Sequence, residues 1–261
     1  MNDANALLAR TAVVSTGVLA LLAMVVSNQW SPLMALDDGI AVAAHQATSG
    51  HDLMIDTWSA VSSWAGPDVL RQLMMVVAVG LVLGRRFVAG AWLFGLAVLE
   101  SYAAPAAKLV LERPRPEWSD PITTAGATSF PSGHATAAAT AAVALVLVVL
   151  GLVRSQRVRR FAIALAVATV AAVGASRIFL GVHYLSDIVG GIAFGTLLTV
   201  ATAWVVGLLR PGFLSVVSDG AAVGQPEADA RRGQEQGAEH AHVHQVVAGS
   251  VERDPVLLTR R

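Results

Sequence analysis

Apolar residues run through this chain in six blocks, at about 11–27, 68–84, 87–107, 132–153, 161–175 and 184–209. Each approaches the roughly 20 residues an α-helix needs to cross hydrocarbon, and none alternates with the period of two of a half-buried strand. The pattern predicts an all-α, polytopic membrane protein, a bundle of six transmembrane helices. The first block follows Arg10 and is short enough to compete as a secretory leader. Its single basic flank and the lack of an Ala-x-Ala site favour a retained helix.

The polar intervals differ in kind. Residues 28–67 mix Pro32, Asp37, Asp38, His45, Asp52 and Asp56 with Trp30, Trp58 and Trp64. They are expected to form an extramembrane connection of one or two amphipathic helices at the headgroup level, where tryptophan sits well. Residues 108–130 carry Pro114, Pro116 and Pro121 and read as a loop on a short helical start. Beyond Arg210 the chain turns polar, rich in Gln, Glu, Gly, Ala and His. Two regions follow: a membrane domain over 1–210 and a tail over 211–261 expected to lack fixed structure.

Composition agrees with the pattern. Of 261 residues 55% are hydrophobic and 14% charged, against about a quarter charged in soluble domains. Mean hydropathy is +0.61. The net charge of zero points to no nucleic-acid partner. With no cysteine, disulfides, thiol catalysis and thiolate metal sites are excluded. Arginine placement sets the orientation. Arg10, Arg85-Arg86, the group from Arg154 to Arg160, and Arg210 all fall at alternate block ends. The positive-inside rule makes that side cytoplasmic, with both termini there. The intervals holding Lys108–His134 and Arg177–His183 then share the opposite, extracytoplasmic face of a cell-membrane protein.

Those intervals carry the chemistry. Lys108 is the only lysine in the chain; an ammonium at a helix end before a rigid proline loop can hold an anion. Arg113-Pro114 and Arg115-Pro116 repeat one unit, and residue type does not decide which arginine points inward. Pro131-Ser132-Gly133-His134 opens the fourth block, where first-turn N–H groups and the helix dipole attract anions and where His134 can give a proton to an ester oxygen. Arg177 presents a planar fork of donors suited to phosphate oxygens. His183 and Asp187 are four apart, so on a helix their Cβ atoms lie about 6 Å apart. A carboxylate on one imidazole nitrogen leaves the other free to attack or accept a proton. No Asp/Glu/His cluster has divalent-ligand spacing.

Taken jointly, Lys108-x6-Arg115-Pro116, Pro131-Ser132-Gly133-His134 and Ser176-Arg177-x5-His183-x3-Asp187 resemble the three motifs of the type 2 phosphatidic acid phosphatase (PAP2) superfamily. The resemblance covers about residues 7–209. It implies a six-helix bundle of PAP2 type. It also implies a metal-independent hydrolase without cofactor, acting on a lipid phosphate or diphosphate in the bilayer. By resemblance His183 is the nucleophile that forms a phosphohistidine and Asp187 orients it. His134 protonates the leaving group and then activates water, while Lys108, Arg115, Ser132, Gly133 and Arg177 bind the phosphate. Phosphatidic acid, phosphatidylglycerophosphate and an isoprenoid carrier diphosphate remain alternatives as substrate, and the oligomeric state is open. A non-catalytic lipid-phosphate binder or transporter would need the cations but not the two histidines and the aspartate. A vanadium-dependent haloperoxidase shares the motifs, but six apolar spans argue against that generally soluble type.

Other polar residues are weighed and set aside. Glu100 lies about 12 Å along the helix from Lys108 and is expected to be packed or neutrally hydrogen-bonded. Arg71 is expected to pair with Asp68 or touch a headgroup. His240, His242 and His244 in the tail are read as adventitious metal binders.

Overall fold

The computed structural model describes residues 3–126, 128–210 and 213. The polar tail expected over 211–261, with its three histidines, lies outside the described residues, Phe213 apart. Among the described residues there are eight α-helices and no strand: α1 (Asp3–Ser27), α2 (Ser31–Thr48), α3 (Asp52–Trp64), α4 (Pro67–Leu83), α5 (Phe87–Ala107), α6 (Gly133–Leu152), α7 (Gln156–Phe179) and α8 (Leu185–Leu209). Six stretches are long and apolar enough to span a membrane: Asn5–Ser27, Asp52–Leu83, Phe87–Ala107, Gly133–Leu152, Gln156–Phe179 and Leu185–Leu209. The chain is a multi-span membrane protein.

Three boundaries differ from the expectation. The first helix begins at Asp3 rather than near residue 11. The apolar stretch that ends in α4 reaches back in composition through α3 to Asp52. The two helices expected over 28–67 are present, but α2 packs against α7 and α8, and α3 against α7. Finally, α7 runs from Gln156 to Phe179 rather than over 161–175. Arginine is a good helix former, so the basic group joins the first turns instead of ending the helix. Arg159 folds back there and donates from Nε to the Val153 carbonyl at 2.6 Å and from Nη2 to the Leu150 carbonyl at 2.7 Å. These bonds satisfy carbonyls that the end of α6 leaves without partners. At its other end the extension carries Ser176 and Arg177 into the last helical turn.

The centre of the bundle is the pair α6 and α8. Alanines of α6 (Ala137, Ala138, Ala141, Ala144) join Leu93 and Leu96 of α5, Val173 of α7, and Val200 and Ala203 of α8 in a continuous core. Small residues let the two central helices touch backbone to backbone. A Cβ on Gly191 would lie 2.5 Å from the Ser132 carbonyl oxygen and 2.9 Å from the Ala135 methyl, and one on Gly195 would lie 2.9 Å from Thr140 Oγ1. Hydroxyls tie the same seam. Thr140 Oγ1 donates to the Gly195 carbonyl at 3.3 Å, and Thr199 Oγ1 lies 3.3 Å from the Thr140 carbonyl. Both helices start at one end of the bundle, where the Ser132 N–H donates to the Asp187 carbonyl at 3.0 Å.

Candidate active site

The N-terminus of α8 supplies the most constrained side chains. Asp187, fully buried, is its third residue. Its Oδ2 accepts the Tyr184 N–H at 2.9 Å, which anchors the helix start as a capping residue does, and also faces His183 Nδ1 at 3.2 Å. Its Oδ1 accepts Arg113 Nη1 at 2.8 Å. The Asp187 carboxylate thus fixes the His183 ring through Nδ1, leaving Nε2 with its lone pair. That nitrogen lies 3.0 Å from Arg115 Nη1, which also donates to the Val182 carbonyl at 2.6 Å. An arginine cannot accept, so the contact requires an unprotonated Nε2. Burial agrees: it pulls the imidazole pKa down to about 4, against the opposing hydrogen bond and charge of Asp187.

The phosphate-binding candidates gather on the same end. Lys108 caps the C-terminus of α5, and its Nζ donates to the Thr128 carbonyl at 2.9 Å. Its Cε lies 4.0 Å from where a Gly133 Cβ would stand, so the lysine lies against the Ser132-Gly133-His134 turn. Burial and then the charge of Arg115, with a smaller push from Arg177 and a counter-pull from Asp187, bring its ammonium down to about 8. Ser132 is the N-cap of α6 and accepts the Ala135 N–H at 3.5 Å. The N–H groups of Gly133 and His134 precede the helical ladder and have no intrahelical acceptor. His134 is half-buried, and no hydrogen bond holds its ring among the described residues. It lies in the field of Arg177, His183, Arg115 and Lys108. Arg177 is buried, gives Nη1 to Ser62 Oγ at 2.6 Å, and keeps a buried Nε without a protein acceptor. All eight residues expected from the sequence therefore converge.

Four further residues belong to this network that sequence reading had passed over. Arg113, left undecided beside Arg115, points inward as well: its Nη2 meets Asp37 Oδ2 at 2.8 Å while its Nη1 meets Asp187. Its guanidinium also covers the Tyr184 ring at 4.1 Å. Asp37, Ser62 and Ser186 complete the set. The signal for Asp37 was a carboxylate inside an apolar helix, but its partners stand 76 and 149 positions away, and no spacing rule connects them. Counted together, four cations (Lys108, Arg113, Arg115, Arg177) face two carboxylates, an excess that suits a phosphate dianion.

Elsewhere the expectation for Glu100 is refined. It is fully buried as expected, but with a basic neighbour: its Oε2 lies 3.0 Å from Arg71 Nε, and Arg71 Nη1 holds Asp68 at 3.0 Å. The Glu100 contact has ion-pair distance but no directed hydrogen bond. Among the described residues no three His, Cys, Asp or Glu side chains are grouped to hold a metal ion.

This arrangement can be set beside known proteins. Residues 89–211 match the model of the PAP2 superfamily. Among solved structures, a similar chain is the transmembrane PAP2-type phosphatidylglycerolphosphate phosphatase from Bacillus subtilis. The TM-score is 0.65 at 23% identity, and the match covers 74% of this chain and 94% of that one. No curated protein sequence matches this chain. The matched stretch begins within α5 and holds all eight expected site residues, whereas α1 to α4, with Asp37 and Ser62, precede it.

Proposed function

We propose that the chain is an integral-membrane phosphatase that hydrolyses a lipid phosphate or diphosphate through a phosphohistidine on His183. The observation that carries this reading is the His183 ring, fixed by Asp187 at Nδ1 with its free Nε2 turned to the cations. In the first step Nε2 attacks the terminal phosphorus, and the P–O bond to the lipid alcohol, or in a diphosphate to the lipid monophosphate, breaks. Lys108, Arg115, Arg177 and the N–H groups at the start of α6 hold the three phosphoryl oxygens, whose charge must be stabilised. His134 gives its proton to the departing oxygen. In the second step a water attacks phosphorus, His134 takes its proton, and the N–P bond breaks to free phosphate. Arg115, which rests on Nε2, turns toward the phosphoryl oxygens when substrate enters.

The position of these residues at helix ends of a multi-span membrane protein supports a lipid as the alcohol or phosphate released. The protein purified in detergent should release phosphate from at least one of phosphatidic acid, phosphatidylglycerophosphate and a polyprenyl diphosphate. Release should survive EDTA, because permanent cations do the work of a divalent ion, and should be inhibited by vanadate, which takes five oxygens as the transferring phosphorus does. Silence on all three lipids, or loss on chelation with recovery on adding magnesium, would reject this mechanism.

The same reading assigns the site to the extracytoplasmic face of the cell membrane, on the arginine distribution. It assigns residues 1–210 to the catalytic domain and 211–261 to a cytoplasmic tail. A reporter enzyme that works only in the cytoplasm is expected to be active when fused after Arg210 and silent when inserted near Pro121. The opposite pattern would invert the topology.

A further inference from the structure

We infer that Asp37, on α2 and outside the matched stretch, is a positioning residue for the His183–Asp187 pair; the inference rests on the phosphatase reading for its kinetic arm only. Asp37 is fully buried. Its Oδ1 accepts the Ser186 N–H at 3.0 Å, and its Oδ2 accepts Ser186 Oγ–H at 2.5 Å and Arg113 Nη2 at 2.8 Å. Ser186 is the second residue of α8, so its N–H is one that the helix itself leaves without an acceptor. A carboxylate from another helix therefore caps α8 one residue before Asp187.

Charge balance gives Asp37 a second role. Arg113 Nη1 donates to both Asp187 Oδ1 at 2.8 Å and Ser186 Oγ at 2.6 Å. Asp187 has to stabilise the positive charge that grows on the His183 ring as Nε2 attacks. An uncompensated guanidinium on its other oxygen would draw off part of that stabilisation. Asp37 supplies the compensating charge, in the order Asp37, Arg113, Asp187, His183. The fork of Arg113 holds the two carboxylates at a fixed separation, which an ammonium cannot do.

The test uses the full chain in detergent with Asp37→Asn, Arg113→Lys and the double variant Asp37→Asn/Arg113→Gln. Asp37→Asn is expected to lower kcat roughly 10- to 100-fold, the scale of a small misplacement at a reacting centre, with KM within about twofold. The double variant, which removes the unbalanced cation as well, should regain several-fold over Asp37→Asn. Arg113→Lys keeps the charge and should still lose about 10-fold, which covers the case in which Asp37→Asn does not fold. Rates are referred to the folded fraction from size-exclusion and thermal unfolding. The second arm needs no turnover: with 15N-labelled histidine, the Nδ1 proton of His183, assigned by its absence in His183→Ala, should shift in Asp37→Asn and in Arg113→Lys. Unchanged kcat with an unmoved Nδ1 proton in both variants would overturn the inference, as would losses that only track the folded fraction. A wild-type protein that releases no phosphate would reject the phosphatase reading instead, and the histidine spectra would still decide the position of Asp37.

Discussion

Alanine in place of His183 is expected to abolish phosphate release, by on the order of 10⁴-fold or more, as loss of a covalent nucleophile does elsewhere. It should also remove any acid-labile phosphoenzyme trapped by rapid quench with radioactive substrate. The ring has no stand-in: Asp187 is fully buried behind it, and the neighbouring cations cannot attack phosphorus. The same residue sets an acid limit. Burial holds the His183 pKa at about 4, so Nε2 keeps its lone pair at every pH above that. The acid limb of kcat/KM assigned to this group should therefore lie near pH 4 rather than near 6.5. Asp187 opposes burial by favouring the protonated ring. Asp187→Asn removes that pull, so the limb should move to lower pH even as the rate falls. Measuring both proteins on one substrate cancels the substrate's own ionisation. A labelled phosphohistidine persisting in His183→Ala, or a limb that moves upward in Asp187→Asn, would refute the assignment.

The second large effect is expected at His134. General acid catalysis contributes about 10²- to 10⁴-fold, so His134→Ala should bind lipid with nearly unchanged KM and lose turnover by that factor. A nitrophenyl phosphate leaves without needing a proton, so the variant should recover most of the first step on it and accumulate phosphoenzyme. The ring is suited to that task because no protein hydrogen bond claims it among the described residues and the start of α6 places it beside Lys108. Equal losses in the rate of phosphoenzyme formation on the lipid and on the nitrophenyl ester would show that His134 does not protonate the leaving group.

Most residues of the proposed site were legible in the sequence because each announces itself locally. Pro131-Ser132-Gly133-His134 is a helix start, His183 and Asp187 are one turn apart, and Lys108 is the only lysine. The residues that hold those groups in place were not legible. Ser62 meets Arg177 across 115 positions and Arg113 meets Asp187 across 74, and both contacts depend on how helices pack. Residue type could not separate Arg113 from Arg115 for the same reason. Their residue type and flanking prolines are identical, and only the third dimension separates a guanidinium that braces Asp187 from one that covers Nε2. Helix number was legible from apolar length, whereas the limits of α7 were not. Arginines at a helix end can mark its boundary or ride on its first turns, and composition treats the two alike. The neighbour of Glu100 was not legible because Arg71 lies on a different helix.

The backbone-to-backbone seam between α6 and α8 has a consequence for how the protein meets bilayers of unequal thickness. Helices adjust to a thinner or thicker membrane chiefly by tilting, and helices separated by long side chains can tilt independently. Here one carries His134 and the start of the other carries Asp187, while the Ser132 carbonyl and Gly191 leave no room for sliding. The pair leans as a single rod, so a change of lipid length alters the angle of the whole site to the membrane without altering the distance between His134 and Asp187.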